Sequence, residues 1–344
     1  MKKMKSLTLL TIVFMMLAIL SACGSDASGE ENGTKKDVKV KTTTLKMAFN
    51  QPETHPQYQA MEDLSEKFYE ATDGAYKIEL YPNELLGAQR ETIEFVQTGT
   101  IAMSIVVGGL LENLNEDFVV FNLPYVFDST EHQMSVVNNP DIIGDLYTSL
   151  EGDGINVLGA FHSGSRNVYN DKKPIENPED LKGMKIRIIE SDTNVQMMKL
   201  MGGVGTPMGQ GEVYTAIQSG VLEGGENNEL IYSNLKHSEI APYYSYTQHL
   251  MFPDYLIINQ DILSDMSDEH KEILQKELAE AIDMEVKLWD EEVAKAIEIA
   301  EQGGAKFNRP DIKLFQDAVK PLVEEKLTSD SAKALYEKVR DAAK

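Results

Sequence analysis

Short apolar segments and helical segments alternate along the chain from residue 44 onward, and this order limits the possible folds more than any other feature. The stretch "TLKMAF" (44–49) is a predicted strand, and Met61, Leu64 and Phe68 then recur at helical spacing. The same alternation continues through "INVLGAF" and "MKIRII" further along the chain. Strands that alternate with helices predict an α/β fold in which helices cover the sheets.

A long helix is predicted near the carboxyl end. Ser267 is a suitable N-cap, because its hydroxyl can accept a hydrogen bond from a free amide of the first turn. An apolar stripe keeps helical spacing from Leu274 to Ile297, and a Gly-Gly pair follows it. At ~1.5 Å per residue, a helix over residues 267–302 is roughly 50 Å long. We expect a strut that spans two lobes; a solvent-exposed coiled-coil arm is less favoured, because only one helix carries the stripe.

The first residues have the features of a bacterial lipoprotein signal. Three lysines precede an uncharged apolar run over residues 7–20, which is shorter than the ~20 residues of a membrane span. The run ends in "LSAC", which resembles a lipobox. We expect a signal peptide over residues 1–22, lipid attachment at Cys23 and a flexible linker over residues 23–43. The protein would then be extracytoplasmic, lipid-anchored to the outer face of the cytoplasmic membrane. An ordinary signal peptide with an incidental cysteine is the alternative.

The strongly negative charge of the chain argues against nucleic acid as a partner and limits how an anionic ligand can bind. Its 56 acidic residues outnumber 32 Lys and Arg, which gives a formal net charge of −24 at pH 7. Nucleic acid is therefore not an expected partner. An anionic ligand would need fixed local donors rather than a general attraction. Cys23 is the only cysteine, so an intrachain disulfide is excluded.

The sequence carries no catalytic motif. It lacks G-x-S-x-G, H-E-x-x-H, a Walker loop and a G-x-G-x-x-G that follows a strand. Its six histidines show no metal-ligand spacing. We therefore predict no catalytic residue, no metal and no cofactor, with an enzyme as the second hypothesis.

Three polar side chains stand at strands or strand ends, where they suit a ligand site. Arg166 follows the apolar run "INVLGAF", Arg187 lies inside "MKIRII", and Asn227 follows a Gly-Gly pair. Ligands of open α/β sheets bind beyond the carboxyl ends of strands. Arginine can hold a carboxylate through two parallel hydrogen bonds, so these residues predict a small carboxylate-binding site. The structural alternatives are a surface-loop Arg166, an Arg187 paired with one of many acids, and an Asn227 that only forms a turn.

A weak internal repeat suggests two similar halves. "AQRETIEFVQTG" (88–99) aligns with "GQGEVYTAIQSG" (209–220) at four of twelve positions. Each copy reads as a helix that ends at a glycine before an apolar stretch. A true repeat would give two lobes whose helix N-termini lie near each other; shared helix chemistry is the alternative.

At these residues the chain resembles the solute-binding subunit of tripartite ATP-independent periplasmic (TRAP) transporters of the DctP type. "DLKGMKIRI" is similar to the family's "LKGLKLRV" strand, and "FNLPYVF" contains its "LPY" segment. "LYPNELLGAQRETIEFVQTGTIAM" resembles the family's strand, "P-x-x-x-LG" turn and helix. "GTPMGQGEVYTAIQSGVLEGGEN" resembles its "PTPMxxxEVYxALQxGxxDGxEN" run. The likeness extends over about residues 45–320.

The resemblance assigns roles to individual residues. It implies that Arg187 is the main carboxylate clamp, Arg166 the second cationic contact and Asn227 the third anchor. Gln89 lies where relatives often contact the far end of the ligand. The chain departs from the family at Gln210, where some members carry an aromatic residue, and at 107–109, where sialic-acid binders show an acid. The complete expected ligand-binding set is Arg187, Arg166, Asn227, His55, Gln89, Asn50, Arg90, Tyr214 and Glu190.

The resemblance also implies the domain organisation, which is a two-lobed periplasmic-binding-protein-like α/β fold with a hinge and a strut helix. We expect lobe 1 to comprise residues 44–163 and about 252–270, and lobe 2 to comprise 164–251 and about 303–344, with the strut over 267–302. Arg166, Arg187, Tyr214 and Asn227 would lie on lobe 2, and Asn50, His55, Gln89 and Arg90 on lobe 1.

The expected ligand is a small carboxylate. The stretches "HPQYQAME", "GSRNVYNDKKPI" and "GGENN" resemble the sugar-acid branch of the family, notably its hexuronate binders, so the resemblance favours a hexuronate such as glucuronate or galacturonate. Asn50, His55 and Gln57 provide polar partners for hydroxyl groups near a helix N-terminus. A C4-dicarboxylate would need a second cation, for which Arg90 is the candidate, and other sugar acids remain open. The expected partners are the TRAP permease subunits. In the alternative, this protein is a ligand-sensing lipoprotein that acts with a receptor.

Overall fold

The computed structural model describes residues 41–343. The predicted signal peptide, Cys23 and the linker up to residue 40 lie outside the described residues. Within residues 41–343, no helix combines the length and the apolar character that a membrane span requires.

Two sheets organise the fold, and each forms the centre of one lobe. The first sheet has the strand order β2-β1-β3-β10-β4. Strand β1 is parallel to β2 and β3, whereas β10 is antiparallel to its neighbours β3 and β4. Its strands are β1 (Thr43–Ala48), β2 (Tyr76–Tyr81), β3 (Met103–Val107), β4 (Ile155–Phe161) and β10 (Asp254–Asn259).

The second sheet has the order β11-β9-β5-β8-β6-β7. Strand β6 pairs in parallel with β7 and β8, and β5 is antiparallel to β8 and β9. Its strands are β5 (Arg166–Asn170), β6 (Lys185–Ile188), β7 (Val204–Pro207), β8 (Gly224–Asn227), β9 (Tyr243–Leu250) and β11 (Lys306–Asn308). The first lobe is hereafter the first sheet with its helices, and the second lobe is the second sheet with its helices.

Helices cover both sheets, as the alternating pattern predicts. Every residue of "INVLGAF" in β4 is buried, which is typical of a strand covered on both faces. The helices are α1 (Pro56–Ala71), α2 (Gln89–Gln97), α3 (Gly108–Leu111), α4 (Thr130–Val137), α5 (Pro140–Ile143), α6 (Asp192–Leu200), α7 (Val213–Gln218), α8 (Glu229–Asn234), α9 (His237–Ile240), α10 (Gln260–Asp265), α11 (Asp268–Gln302), α12 (Ile312–Lys326) and α13 (Asp330–Asp341).

Helix α11 is the predicted strut. Ser267 caps it by accepting a hydrogen bond from the amide of His270 at 3.2 Å. Over its 35 residues it packs against α1 of the first lobe and α8 of the second. The two-lobed fold with a long spanning helix is thus confirmed.

Two of the crossings between the lobes are adjacent segments, residues 162–165 and 251–253; the chain also crosses along α11 and again between α12 and α13. Gly164 lies in the first crossing with φ +69°, and a Cβ placed on it would lie 2.7 Å from the ring of Trp289 in α11. The middle of the strut therefore packs directly on a crossing segment, which only glycine fits at this point.

The last helix differs from the expected lobe assignment. Residues 303–344 were expected in the second lobe, and α12 does pack on α6 and β9 there. Helix α13 instead contacts α5 and the turn at 116–122, both of the first lobe. Arg340 explains this position, because its Nη1 donates to the main-chain oxygen of Val126 and to Asp128, at 2.6 and 2.8 Å. Periodicity predicts the helix but cannot tell which lobe its apolar face covers.

Candidate functional site

A cleft lies between the two sheets. Both lobes contribute to its wall. Its polar residues are Asn50, Glu84, Gln89 and Arg90 from the first lobe and Arg166, Arg187, Glu190 and Gln210 from the second.

Arg187 extends from β6 into this cleft. Its neighbours in the sheet are Thr206 on β7 and Gly225 on β8. Its Nε donates to the main-chain oxygen of Met208 at 2.8 Å, which fixes the guanidinium plane. No acceptor or carboxylate among residues 41–343 pairs with Nη1 or Nη2, although only 6 % of the residue is exposed. Burial and the charge of Arg166 lower the pKa of Arg187, so an anion at the two Nη groups would restore favourable pairing.

Arg166, at the start of β5, is held very differently. Its Nη2 donates to the Glu226 carboxylate at 2.8 Å and to the Glu226 main-chain oxygen at 2.6 Å, and its Nε also pairs with that carboxylate. Its Nη1 donates to Asn227 Oδ1 at 3.0 Å, and its guanidinium stacks over Phe252. Both members of the ion pair are buried. Arg166 therefore lines the cleft as a largely neutralised cation.

Glu226 is ionised despite its position. Burial by itself would raise its pKa, but the charge of Arg166, the His249 ring 3.5 Å away and the hydrogen bonds from Arg166 lower the pKa of Glu226 to about 2. The sequence left open whether Arg166 is a surface-loop residue. In the structure it is a buried residue of strand β5.

The first lobe supplies neutral polar groups and one cation. Gln89 begins α2, and its Nε2 donates to the main-chain oxygen of Ile105 at 3.3 Å. Asn50 is buried, and its Oδ1 has no hydrogen-bond partner among the described residues. Arg90 is exposed, and within residues 41–343 no carboxylate forms an ion pair with it. Asn50 and Gln89 can form hydrogen bonds with hydroxyl groups of a ligand, and Arg90 can make a weak contact with an anionic group.

Hydrogen bonds cross the cleft and hold the lobes against each other. Glu84 of the first lobe accepts a hydrogen bond from the amide of Gly211 in the second at 3.0 Å. Farther along the cleft, Ser191 at the N-terminus of α6 donates to Glu112, and Asn122 donates to Ser191 at 3.1 Å. The structure therefore represents a closed arrangement of the lobes.

Three of the predicted site residues do not line the cleft. His55 accepts from the amide of Gln57 as the N-cap of α1 and packs edge-on against Trp289, and burial lowers the pKa of His55 to about 3. The Tyr214 hydroxyl points to Glu239. Asn227 reaches the cleft only through Arg166. The six residues that do line it are Asn50, Gln89, Arg90, Arg166, Arg187 and Glu190.

Sequence reasoning did not select Glu84, and it treated Gln210 only as a departure from the family. Gln210 sits in the second copy of the repeat, and the N-termini of both copies do face each other, since a Cβ on Gly209 would lie 3.7 Å from Ala88. Glu84 lies just beyond the carboxyl end of β2, which is the one signal that could have identified it.

Beneath the cleft, buried acids surround the crossing segments. Glu285 of α11 is fully buried, and neither carboxylate oxygen has a hydrogen-bond partner among the described residues. Burial raises the pKa of Glu285 well above its ordinary value, which favours the protonated form of this carboxyl. Asp254 accepts from Gln57 at 2.9 Å, and burial raises the pKa of Asp254 to about 6. Residues 41–343 contain no His, Cys, Asp and Glu cluster that could hold a metal ion.

Comparison with known proteins extends the picture. The model of the family described as bacterial extracellular solute-binding protein, family 7 (DctP), matches residues 47–330. The chain is 34% identical over 301 residues to YiiZ of Salmonella typhimurium, an uncharacterized protein, and the match covers 87% of this chain and 92% of YiiZ.

Solved structures with the same fold have sugar acids bound. A TRAP periplasmic solute-binding protein of Anaerococcus prevotii with bound α/β-D-glucuronate superposes with a TM-score of 0.85 at 36% identity, covering 87% of this chain and 98% of that one. One from Xanthobacter autotrophicus with bound β-D-galacturonate gives 0.83 at 32% identity, with 86% and 99% covered. The family model and the overall structural match together establish that this chain belongs to the DctP family, the extracellular solute-binding proteins of TRAP transporters.

Proposed function

We propose that this protein binds a hexuronate such as glucuronate or galacturonate and delivers it to the membrane permease of a TRAP transporter. Its family consists of solute-binding proteins rather than enzymes. One observation carries the ligand class: the buried Arg187 is fixed at Nε, and none of the described residues pairs with its two Nη groups. A carboxylate fits such a fork with two parallel hydrogen bonds.

The remaining wall supports a hydroxylated ligand. Asn50 Oδ1 lacks a donor within the described chain, and Gln89 has an amide oxygen with no partner there. Several such groups around one clamp suit the hydroxyl groups of a sugar acid. The two similar structures with bound glucuronate and galacturonate support the same class. In this proposal Arg187 is the clamp, and Arg166, held by Asn227, directs its remaining Nη1 proton toward the ligand.

A thermal-shift screen tests the proposal directly. The panel contains hexuronates, aldonates, C4-dicarboxylates, sialic acid and 2-oxo acids. Ligands that bind only the folded state raise the melting temperature by mass action. We expect the largest shift with a hexuronate. A shift only with succinate or malate would retain the transport role and replace the ligand, with Arg90 as the second cationic contact. Shifts only with neutral sugars would refute the carboxylate site.

We further propose that the lobes open and close about residues 162–165 and 251–253. The hydrogen bonds of Glu84 and Ser191 across the cleft support closure, because both break when the lobes separate. Small-angle X-ray scattering should give a larger radius of gyration without ligand than with it. Equal radii in both states would contradict the hinge.

The lipid anchor at Cys23 is also a proposal, supported by the sequence of residues 1–23. A membrane-bound position would keep the closed protein close to its permease. Mass spectrometry of the mature protein should find a diacylated N-terminal Cys23, and Cys23→Ser should release the protein from the membrane fraction. An unmodified thiol in the wild type would exclude the anchor.

A further inference from the structure

Glu84 is positioned by a strained turn. It follows β2 in the turn after Pro82, and both Asn83 and Glu84 have φ of +56°, a conformation that side chains other than glycine rarely adopt. Two hydrogen bonds hold this turn to the end of β1: Asn83 N to Gln51 O at 3.1 Å and Glu84 N to Phe49 O at 3.0 Å. Such conformations persist where the surrounding structure imposes them, and they are concentrated at functional sites.

The turn places a carboxylate in the wall of the cleft. Main-chain amides of Gly211 and Gln210 face it, and Gly211 donates at 3.0 Å. No side chain within residues 41–343 donates to it, and it makes no ion pair with Arg187, which lines the same cleft. Burial raises the pKa of Glu84, against the opposing effects of the Gly211 amide and Arg187. A donor group on a ligand could therefore hydrogen-bond to this carboxylate.

The charges around the cleft are balanced before any ligand binds. Among the described residues, three arginines and three glutamates line it or pair directly with its wall: Arg90, Arg166 and Arg187 with Glu84, Glu190 and Glu226. A monocarboxylate pairs with Arg187, whose two Nη groups have no partner among the described residues, whereas the second carboxylate of a dicarboxylate finds no further buried cation that is unpaired. The second charge is unfavourable in a site shielded from water, where like charges repel more strongly.

Arg90 does not remove this penalty. Its side chain is exposed, so solvent and salt screen its charge, whereas Glu84 is partly buried and faces the cleft. A second ligand carboxylate next to the wall would meet Glu84 at short range.

From this geometry we infer that Glu84 is a specificity-determining residue: its carboxylate accepts hydrogen bonds from hydroxyl groups of a sugar monocarboxylate held by Arg187, and it excludes dicarboxylates. The inference rests on the proposed function and narrows it, since it separates hexuronates from the aldarates that carry a carboxylate at both ends.

The test measures two ratios by calorimetry on the full-length protein: the affinities for D-glucuronate over D-glucarate, and for D-galacturonate over galactarate. Wild type should prefer each uronate at least about tenfold. Glu84→Gln keeps the shape of the side chain and removes its charge. Each ratio of uronate affinity to aldarate affinity should therefore fall at least about tenfold, and the uronate itself should bind more weakly. In Gly211→Ala the added Cβ would lie 2.6 Å from Glu84 Oε2, so the carboxylate must move and the ratio should fall without a change in net charge.

Glu112→Gln is the matched control. Glu112 also bridges from the first lobe to the second, through Ser191, but it does not line the cleft. It should leave both ratios unchanged. An unchanged ratio in Glu84→Gln, an equal fall in Glu112→Gln, or wild type that binds aldarates as tightly as uronates would overturn the inference while the proposed function stands. A wild type that binds no hexuronate would overturn the proposed function and the inference with it.

Discussion

Replacement of Arg187 by alanine should abolish most ligand affinity while leaving the fold intact. Within residues 41–343 the side chain makes one hydrogen bond, from Nε to the main-chain oxygen of Met208, and no ion pair. Its loss removes a desolvated cation that the protein does not compensate. The melting temperature of the ligand-free protein should therefore change little.

The expected loss of affinity follows from the two free Nη groups. Each charge-assisted hydrogen bond contributes about 1.5–3 kcal/mol, so two contribute about 3–6 kcal/mol. Truncation of one partner of a buried charge pair costs about 2–5 kcal/mol. The loss stays below the sum for two hydrogen bonds, because water that enters the space left by Arg187 solvates part of the ligand carboxylate. A loss of about 3 kcal/mol corresponds to roughly 100-fold weaker binding or more, at about 1.4 kcal/mol per tenfold.

Calorimetric titration with the preferred hexuronate measures this loss, with a ligand-free melt of each variant. Arg166→Ala is the comparison, because it leaves the buried Glu226 without its cation. Breaking a buried pair in this way costs about 3–5 kcal/mol of stability, so this variant should melt markedly earlier. Binding of the hexuronate to Arg187→Ala within tenfold of wild type would refute the clamp.

Further predictions concern stability. Glu285 has a raised pKa in the folded protein, so its unfavourable ionisation reduces stability as pH rises above the ordinary value for Glu. Glu285→Gln should therefore melt higher than wild type at pH 8 and much the same at pH 4; an equal difference at both pH values would contradict a neutral carboxyl. In Gly224→Ala the new Cβ would lie 2.0 Å from the main-chain oxygen of Tyr169, so urea unfolding should show a loss of about 1–3 kcal/mol or more. Ser267→Ala removes the cap of α11 and should cost about 1 kcal/mol in the same assay; no change would mean that water replaces the cap.

The fold was predictable from the sequence because its signals are local. The strut is the clearest case: Ser267, the apolar stripe and the following glycines mark both ends of α11. Helical spacing, caps and apolar runs depend on neighbouring residues only. Helix α13 was expected in the second lobe but packs on the first. The apolar face of a helix shows that this face is buried, but not which element buries it.

The distinctive chemistry of Arg166 and Arg187 led to two residues that do line one cleft, and their roles in binding stay predictions. The site was less predictable where one residue type serves two purposes. His55 before a proline suits a ligand contact and an N-cap equally, and the structure uses it as the cap. Glu84 reaches the cleft because Asn83 and Glu84 both adopt a left-handed backbone conformation. The residue types at these positions do not predict that conformation.

The course of the chain has a consequence for how this molecule unfolds and evolves. Neither lobe is a continuous piece of sequence: β10 returns to the first sheet, β11 to the second, and α13 to the first lobe again. Helix α11 belongs to both hydrophobic interiors at once. Loss of one interior therefore uncovers the other, and differential scanning calorimetry should record a single cooperative transition. No single continuous stretch of the sequence encodes either lobe, so neither lobe can be produced alone by truncating the chain at one point.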